Sequence, residues 1–204
     1  MVHVRVRDLY PLEVPAAVAL LARGMRDNPL HVAAFGNDPE RRRRCIETLF
    51  AALFRIVRAQ TPLVALDGGS IVGCTGVVPF GACQLTVAQR LVMFPSLVGL
   101  GPRSLSRVGR WTGEWAALDL EQPHSHLGPL AVDAHLRGRG IGSQILREYC
   151  RRLDRDQSIG YLETETEENV RLYARFGFRV VAERRVLGLP NWFMQRPAGA
   201  GLTG

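Results

Sequence analysis

The order of hydrophobic and polar positions divides the chain into short alternating segments and longer helical ones. Val2 to Val6 alternates and predicts a first strand. Val14, Val18, Leu21, Ala22 and Met25 share one face of an amphipathic helix, with Pro15 tolerated in its first turn and Asp27-Asn28-Pro29 stopping it. Asp38-Pro39-Glu40 reads as an N-cap followed by proline at the first helical position, opening a helix that carries Cys45, Ile46, Leu49, Phe50, Leu53, Ile56 and Val57. Pro62 to Leu66 and Ile71 to Val78 predict two strands joined by the tight turn Asp67-Gly68-Gly69-Ser70.

The stretch from Gln84 to Asp119 carries two apolar helical runs, interrupted by Pro95, Gly99, Gly101 and Pro102. Leu127, Leu130, Ala131 and Val132 then form a short apolar strand that leads into a polar turn. A helix follows, because Ile141, Ile145, Tyr149 and Leu153 recur every four residues. Gly160 to Thr164 predicts another strand, Asn169 to Phe178 a helix and its turn, and Arg179 to Val186 with Trp192 to Arg196 a terminal pair around Gly188-Leu189-Pro190-Asn191. The pattern is that of one mixed α/β (α+β) domain over residues 2–197 with a central, mostly antiparallel sheet. Residues 84–120 form a helical insert and 198–204 a flexible tail.

The turn before the Ile141 helix carries the chemistry. In Arg137-Gly138-Arg139-Gly140-Ile141-Gly142-Ser143, glycines at alternate positions let the backbone turn tightly and approach a ligand. Free N–H groups at a helix start bind anions, and two arginines add charge and forked donors. A phosphate-bearing ligand follows. A P-loop would require Lys before Ser143, and a dinucleotide fold would require a glycine at that position and more chain behind it.

Arg137, Gly140 and Gly142 do match the acyl-CoA signature (Arg or Gln, two residues, Gly, one residue, Gly or Ala) of the Gcn5-related N-acetyltransferases. Asn169, Tyr173, Gly177 and Phe178 resemble that family's later "Asn…Tyr-x-x-x-Gly-Phe" element. Leu127 to Gln195 as a whole, with its Leu162-Glu163-Thr164 strand, resembles the puromycin N-acetyltransferase branch. The resemblance implies a single twisted sheet of about seven strands flanked by helices.

It also implies roles. Leu130, Ala131 and Val132 would lie on a strand splayed from its neighbour, offering backbone groups to the pantetheine arm and the thioester oxygen. Arg137, Gly138, Arg139, Gly140, Ile141, Gly142 and Ser143 would hold the diphosphate of acetyl-CoA, and Asn169 would meet the pantetheine end. Tyr173 would be the general acid to the departing thiolate, although a thiol near pKa 8.5 and a tyrosine near 10 make that transfer slightly uphill in solution. Glu163 is a candidate base, with His124 and His126 as alternatives and water as a relay. Glu114, Asp119 and Glu121 are candidate partners for substrate charge, and Trp111, Trp115 and Trp192 candidate aromatic walls.

Composition narrows the picture. A chain of 204 residues with 47% hydrophobic and 22% charged residues suits one domain with a full core. No apolar run reaches the ~20 residues of a membrane span, and the N-terminus reads as a strand and not a leader. Cys45, Cys74, Cys83 and Cys150 show no CxxC spacing and read as buried reduced thiols, so a cytoplasmic location is the default expectation. The net charge of +7 comes from arginine alone, and the Arg41–Arg44 run reads as a solvated helix face rather than a nucleic-acid patch. His3, His31 and His135 have no metal-ligand spacing, and no metal is expected.

The function expected is acetyl-CoA-dependent N-acetylation of a small amine, without nucleic-acid or membrane partners, by a monomer or homodimer. Protein or peptide acetylation and non-catalytic acyl-CoA sensing are the alternatives.

Overall fold

The computed structural model describes residues 3–57 and 59–201. Residues 202–204 of the expected flexible tail, and Val2 of the expected first strand, lie outside the described residues.

The strands are β1 (Arg5–Asp8), β2 (Leu63–Asp67), β3 (Ser70–Pro79), β4 (His124–Val132), β5 (Ile159–Thr164), β6 (Arg179–Val186) and β7 (Leu189–Arg196). They form one open sheet in the order β1-β2-β3-β4-β5-β7-β6. Every neighbouring pair is antiparallel except β4 with β5. The helices are α1 (Val14–Gly24), α2 (Pro29–Phe35), α3 (Pro39–Ile56), α4 (Val87–Leu97), α5 (Pro102–Ala116), α6 (Ile141–Arg155) and α7 (Glu167–Ala174).

Strand alternation sorts the core into two layers. On β2, Val64 joins Leu21, Ile46 and Phe50 beneath α1 and α3, while Leu63 and Ala65 join Ile145, Tyr149 and Leu153 beneath α6. The second layer is closed by Arg196, fully buried on β7. Its guanidinium meets both oxygens of Asp154 on α6 at 2.7 and 2.9 Å, and its Nε donates to the Phe176 carbonyl at 2.9 Å. A buried arginine survives only when its donors are matched in this way.

Three expectations need correction. Asn28-Pro29 does not merely stop a helix. The Asn28 side chain accepts from the N–H groups of Leu30 and His31 and so caps α2, with Pro29 at its first position. Pro95 does not interrupt α4, which runs through it.

The arginine run is not simply a solvated face. Arg42 is buried, donating to Asp27 at 2.9 Å and to the Gly36 carbonyl at 2.7 Å, and Arg41 donates to the Phe35 and Leu100 carbonyls. These two guanidiniums satisfy carbonyls at the ends of α2 and of the 98–100 turn that nothing in a helix would reach. Between β3 and β4 the chain forms two helices, α4 and α5, packed beside α3 and α2.

Candidate active site

β4 and β5 pair only at His124↔Ile159, Ser125↔Gly160 and His126↔Tyr161, then separate. On its other side β4 carries a bulge, with Thr75 facing Leu130 and Val77 facing Leu127, so that Gly128-Pro129 oppose Gly76 alone. Bulges bend and twist a strand and terminate pairing. Leu127 to Val132 therefore leave β5, and a wedge opens in the sheet where the apolar strand was expected to splay.

The glycine loop begins immediately past this strand. Gly138 and Gly140 sit at φ +74° and +83°, a left-handed region that side chains resist. Gly140 is the N-cap of α6 and no side chain closes that end. Among the described residues, the backbone N–H groups of Gly138 and of Gly140, Ile141, Gly142 and Ser143 meet no acceptor, whereas that of Gln144 already bonds the Gly140 carbonyl at 3.1 Å. A Cβ on Gly142 would have only Val132 within 4 Å, at 3.7 Å, so the loop is not filled by protein. Four adjacent free N–H groups at the positive end of a fifteen-residue helix make an anion cradle.

Arg139 stands exposed beside that cradle. Arg137 is also exposed, but its Nη2 donates to the Gly24 carbonyl at 2.8 Å, tying the loop to the end of α1. That helix can come so close because residue 24 is glycine, since a Cβ there would lie 2.6 Å from Ala131 Cβ.

The wedge opens into a cavity of about 540 Å³. Phe50 and Phe54 of α3, Met93 of α4 and Trp111 and Trp115 of α5 make its apolar walls, with Leu130, Asn169 and Tyr173 at the wedge. Ala131 and Val132 continue the strand beyond it, paired with Cys74 and Gly73 of β3. Trp192, expected as a third aromatic wall, instead packs against the α6 layer. Glu114 pairs with Arg184 outside the cavity at 3.0 Å.

Tyr173 is buried against Phe178, and burial holds its phenol well above its usual pKa, with Glu165 adding to the effect. The hydroxyl therefore keeps its proton. Glu163, for which the sequence left the cleft and a solvent edge open, lines the cavity, and its carboxylate is engaged: His126 Nε2 lies 2.8 Å away. Burial lowers the His126 pKa, yet the Glu163 charge and Cys83 outweigh burial and raise it to about 10.

Several residues that line this cavity were not anticipated. Glu165, just past β5, accepts a hydrogen bond from the Asn28 amide, and burial raises its pKa. Its signal was the acidic alternation of Glu163-Thr164-Glu165, which reads as a strand edge until the wedge is known. Thr164 Oγ1, Trp111 Nε1 and both ring nitrogens of His31 are buried without a hydrogen-bond partner among the described residues. His31 was invisible as a site residue because α2 was not expected. It is enclosed by Phe35, Phe50 and Trp111 at ring separations of 6.0, 5.9 and 5.3 Å, and burial and then Arg42 lower its pKa to about 3. Cys83, expected to be a buried inert thiol like Cys45, Cys74 and Cys150, is only partly buried and lies 3.5 Å from His124 Nε2.

Comparison with known proteins bears on the fold and the family. The family model described as "Acetyltransferase (GNAT) family" matches residues 28–178. A Corynebacterium glutamicum protein described as histone acetyltransferase HPA2 and related acetyltransferase superposes with a TM-score of 0.73 at 22% identity, covering 97% of each chain. The polyamine N-acetyltransferase of Drosophila melanogaster, which forms N-acetylagmatine, gives 0.64 at 16% identity over 96% of this chain and 100% of its own. A GNAT acetyltransferase of Brucella melitensis, solved with acetyl-CoA, gives 0.55 at 18% identity over 96% and 88%.

Proposed function

This chain belongs to the GNAT acetyltransferase family, whose members use acetyl-CoA as co-substrate, and from that premise we propose that it acetylates the primary amine of a small molecule with an apolar or aromatic body. The observation that carries the reading is the cavity: α4 and α5 wall it with aromatic and aliphatic side chains, and its buried polar atoms on His31, Trp111 and Thr164 lack partners among the described residues. Buried polar groups without partners cost about 1–3 kcal/mol each, and an acceptor carrying a matching polar group would recover that. The puromycin N-acetyltransferase branch belongs to the same proposal.

The residues fit acetyl-CoA on two counts. The free N–H groups from Gly140 to Ser143, with Gly138, suit its diphosphate, and the open edge of β4 beyond His126 suits the amide-rich pantetheine arm. Arg139 adds charge at the loop, Arg137 holds the loop to α1 and would add charge toward the diphosphate, and Asn169 stands at the wedge. Acetyl-CoA supplies the acetyl group on a thioester whose sulfur leaves as a thiolate.

The chain's own groups handle the protons. Glu165, its carboxylate made more basic by burial, takes a proton from the acceptor ammonium so that the nitrogen lone pair can attack the acetyl carbon. The new C–N bond would form as the C–S bond breaks, and the second proton shed by the nitrogen would replace the one that the sulfur takes from Tyr173. Tyr173 keeps its phenolic proton at neutral pH and donates it toward the departing sulfur. Glu163, in contact with His126 Nε2 at 2.8 Å, places a carboxylate on the cavity wall where the acceptor would enter.

Thiol release measured over a panel of amines tests the reading. Arylalkyl amines that carry one hydrogen-bonding group should give the highest kcat/KM, above linear polyamines and peptide N-termini. Preference for peptides, or acetyl-CoA binding without turnover on any amine, would replace it with protein acetylation or acyl-CoA sensing.

A further inference from the structure

Four side chains of metal-ligating type converge where the insert meets the sheet. Cys83 lies just past β3, Asp119 just past α5, and His124 and His126 open β4. One potential ligand atom from each falls within 4.8 Å of all the others. Two of the separations are known individually: His124 Nε2 to Asp119 Oδ1 is 3.2 Å, and His124 Nε2 to Cys83 Sγ is 3.5 Å. A tetrahedral Zn²⁺ site with bonds of roughly 2.0–2.3 Å has ligand–ligand edges of about 3.3–3.8 Å.

The hydrogen bonds around the cluster orient it inward. His124 Nδ1 lies 2.9 Å from the Gln122 carbonyl, which must accept a proton from it. In the neutral ring that fixes the proton on Nδ1 and turns the Nε2 lone pair toward the Asp119 carboxylate and the Cys83 sulfur. Three electron-rich atoms then face one another, and a single proton on Nε2 can bond only one of its two neighbours well. His126 brings a further gap: its Nδ1 is buried with no partner among the described residues, while Nε2 is held by Glu163 at 2.8 Å. A ring nitrogen held by a carboxylate is the outer arrangement that metal-bound histidines use.

We propose that Cys83, Asp119, His124 and His126 form a binding site for a borderline-soft divalent cation of the Zn²⁺ class, which clasps the two ends of the insert to β4. On binding, the ion displaces the ring and thiol protons; the resulting two neutral imidazoles, one thiolate and one carboxylate carry two negative charges and balance it, and a mixed N, S and O set favours Zn²⁺ over Mg²⁺ or Ca²⁺. Asp119 and Cys83 are the exit and entrance of the segment that walls the acceptor cavity, so the ion would fix that wall in place. Gln84, which donates to Asp119 Oδ2 at 3.4 Å, supports the carboxylate from outside. The proposal is independent of the acetyl-transfer reading, because its test reads metal and not turnover.

The full chain, purified without a histidine tag, is loaded with Zn²⁺ or Co²⁺, desalted and analysed for metal content. One equivalent per chain is expected, with a thiolate-to-cobalt charge-transfer band in the Co²⁺ form. Cys83→Ser, on an irregular segment outside the core, should remain folded by circular dichroism, lose that band and bind Zn²⁺ on the order of 100-fold more weakly. Glu163→Gln, which loosens the outer support of His126, should weaken it by about 10–100-fold. Chelator should lower the unfolding temperature of the parent chain and not that of Cys83→Ser. Substoichiometric metal in folded parent protein, or equal binding by parent and Cys83→Ser, overturns the proposal and leaves the cluster as a protonated ion-pair network.

Discussion

His126 and Tyr161 are the last residues of β4 and β5 to face each other before the strands part. Tyr161 also donates its hydroxyl proton to the Leu118 carbonyl, so the point of parting is pinned to the end of the insert. The wedge and the cavity wall thus share one anchor, and changes on either side of it should separate cofactor binding from acceptor binding.

On the cofactor side, Gly140→Val places a β-branched residue at φ +83°. The left-handed conformation costs such a residue at least about 1–2 kcal/mol, which the loop would relieve by turning its N–H groups away. Calorimetry should show acetyl-CoA affinity reduced at least ~10-fold with the fold retained. Unchanged affinity would take the diphosphate away from this loop.

Tyr173→Phe removes one hydroxyl from a buried ring and leaves its packing on Phe178 in place. The expected result is a fall in kcat of ~10²-fold or more with acetyl-CoA affinity within about twofold, because general acids typically contribute 10²–10⁴-fold to the rate. Steady-state kinetics combined with equilibrium titration separates the two effects, and equal turnover in both proteins would remove Tyr173 from the chemistry.

Glu165→Gln and Glu163→Gln distinguish the two carboxylates. The pKa of Glu165 is raised by burial, so it acts as a base only above that raised value, and kcat/KM should fall as pH drops through it. Glu165→Gln should lower kcat by ~10²–10⁴-fold and abolish this acidic limb. Glu163→Gln leaves the limb in place. If instead the limb disappears with Glu163→Gln, the base is Glu163.

Much of this was legible in the sequence because it is local. Helix period, turn residues and the Arg137-to-Ser143 spacing each act over a few residues, so α3, α6, the β2–β3 turn and the glycine turn before α6 could be read directly. The acceptor side could not. His31, Glu165 and Cys83 lie far apart in the chain and meet only through the β4 bulge and the packing of α2 and α5, which no local pattern encodes. Pro29 misled because one residue pair can end a helix and begin another. Arg42 misled because a charged run on a helix is buried only if carbonyls from elsewhere arrive to receive it.

His31 offers a test that reads the cavity through stability. Its folded pKa, about 3, lies below the ordinary value of 6.5, so the folded state takes up its proton later than the unfolded state as pH falls. The unfolded chain then binds more protons between those values, and stability must decline as pH drops from about 6.5 toward 3, with a slope approaching ~1.4 kcal/mol per pH unit. The paired carboxylates Glu13 and Glu148, lowered to about 2 chiefly by their arginine partners, add their own loss only below their ordinary value of 4.5, so they contribute little between 4.5 and 6.5. Glu165, raised by burial, acts with the opposite sign in that window, so the comparison should be made by difference. His31→Phe keeps an aromatic ring among Phe35, Phe50 and Trp111 and has nothing to protonate. Denaturant melts should show the parent losing stability from pH 6.5 to 4.5 relative to His31→Phe, while the variant loses selectivity for acceptors that carry a hydrogen-bonding group. Parallel curves across that window would mean that water reaches the imidazole, and the dry burial of His31 in the cavity wall would have to be abandoned with it.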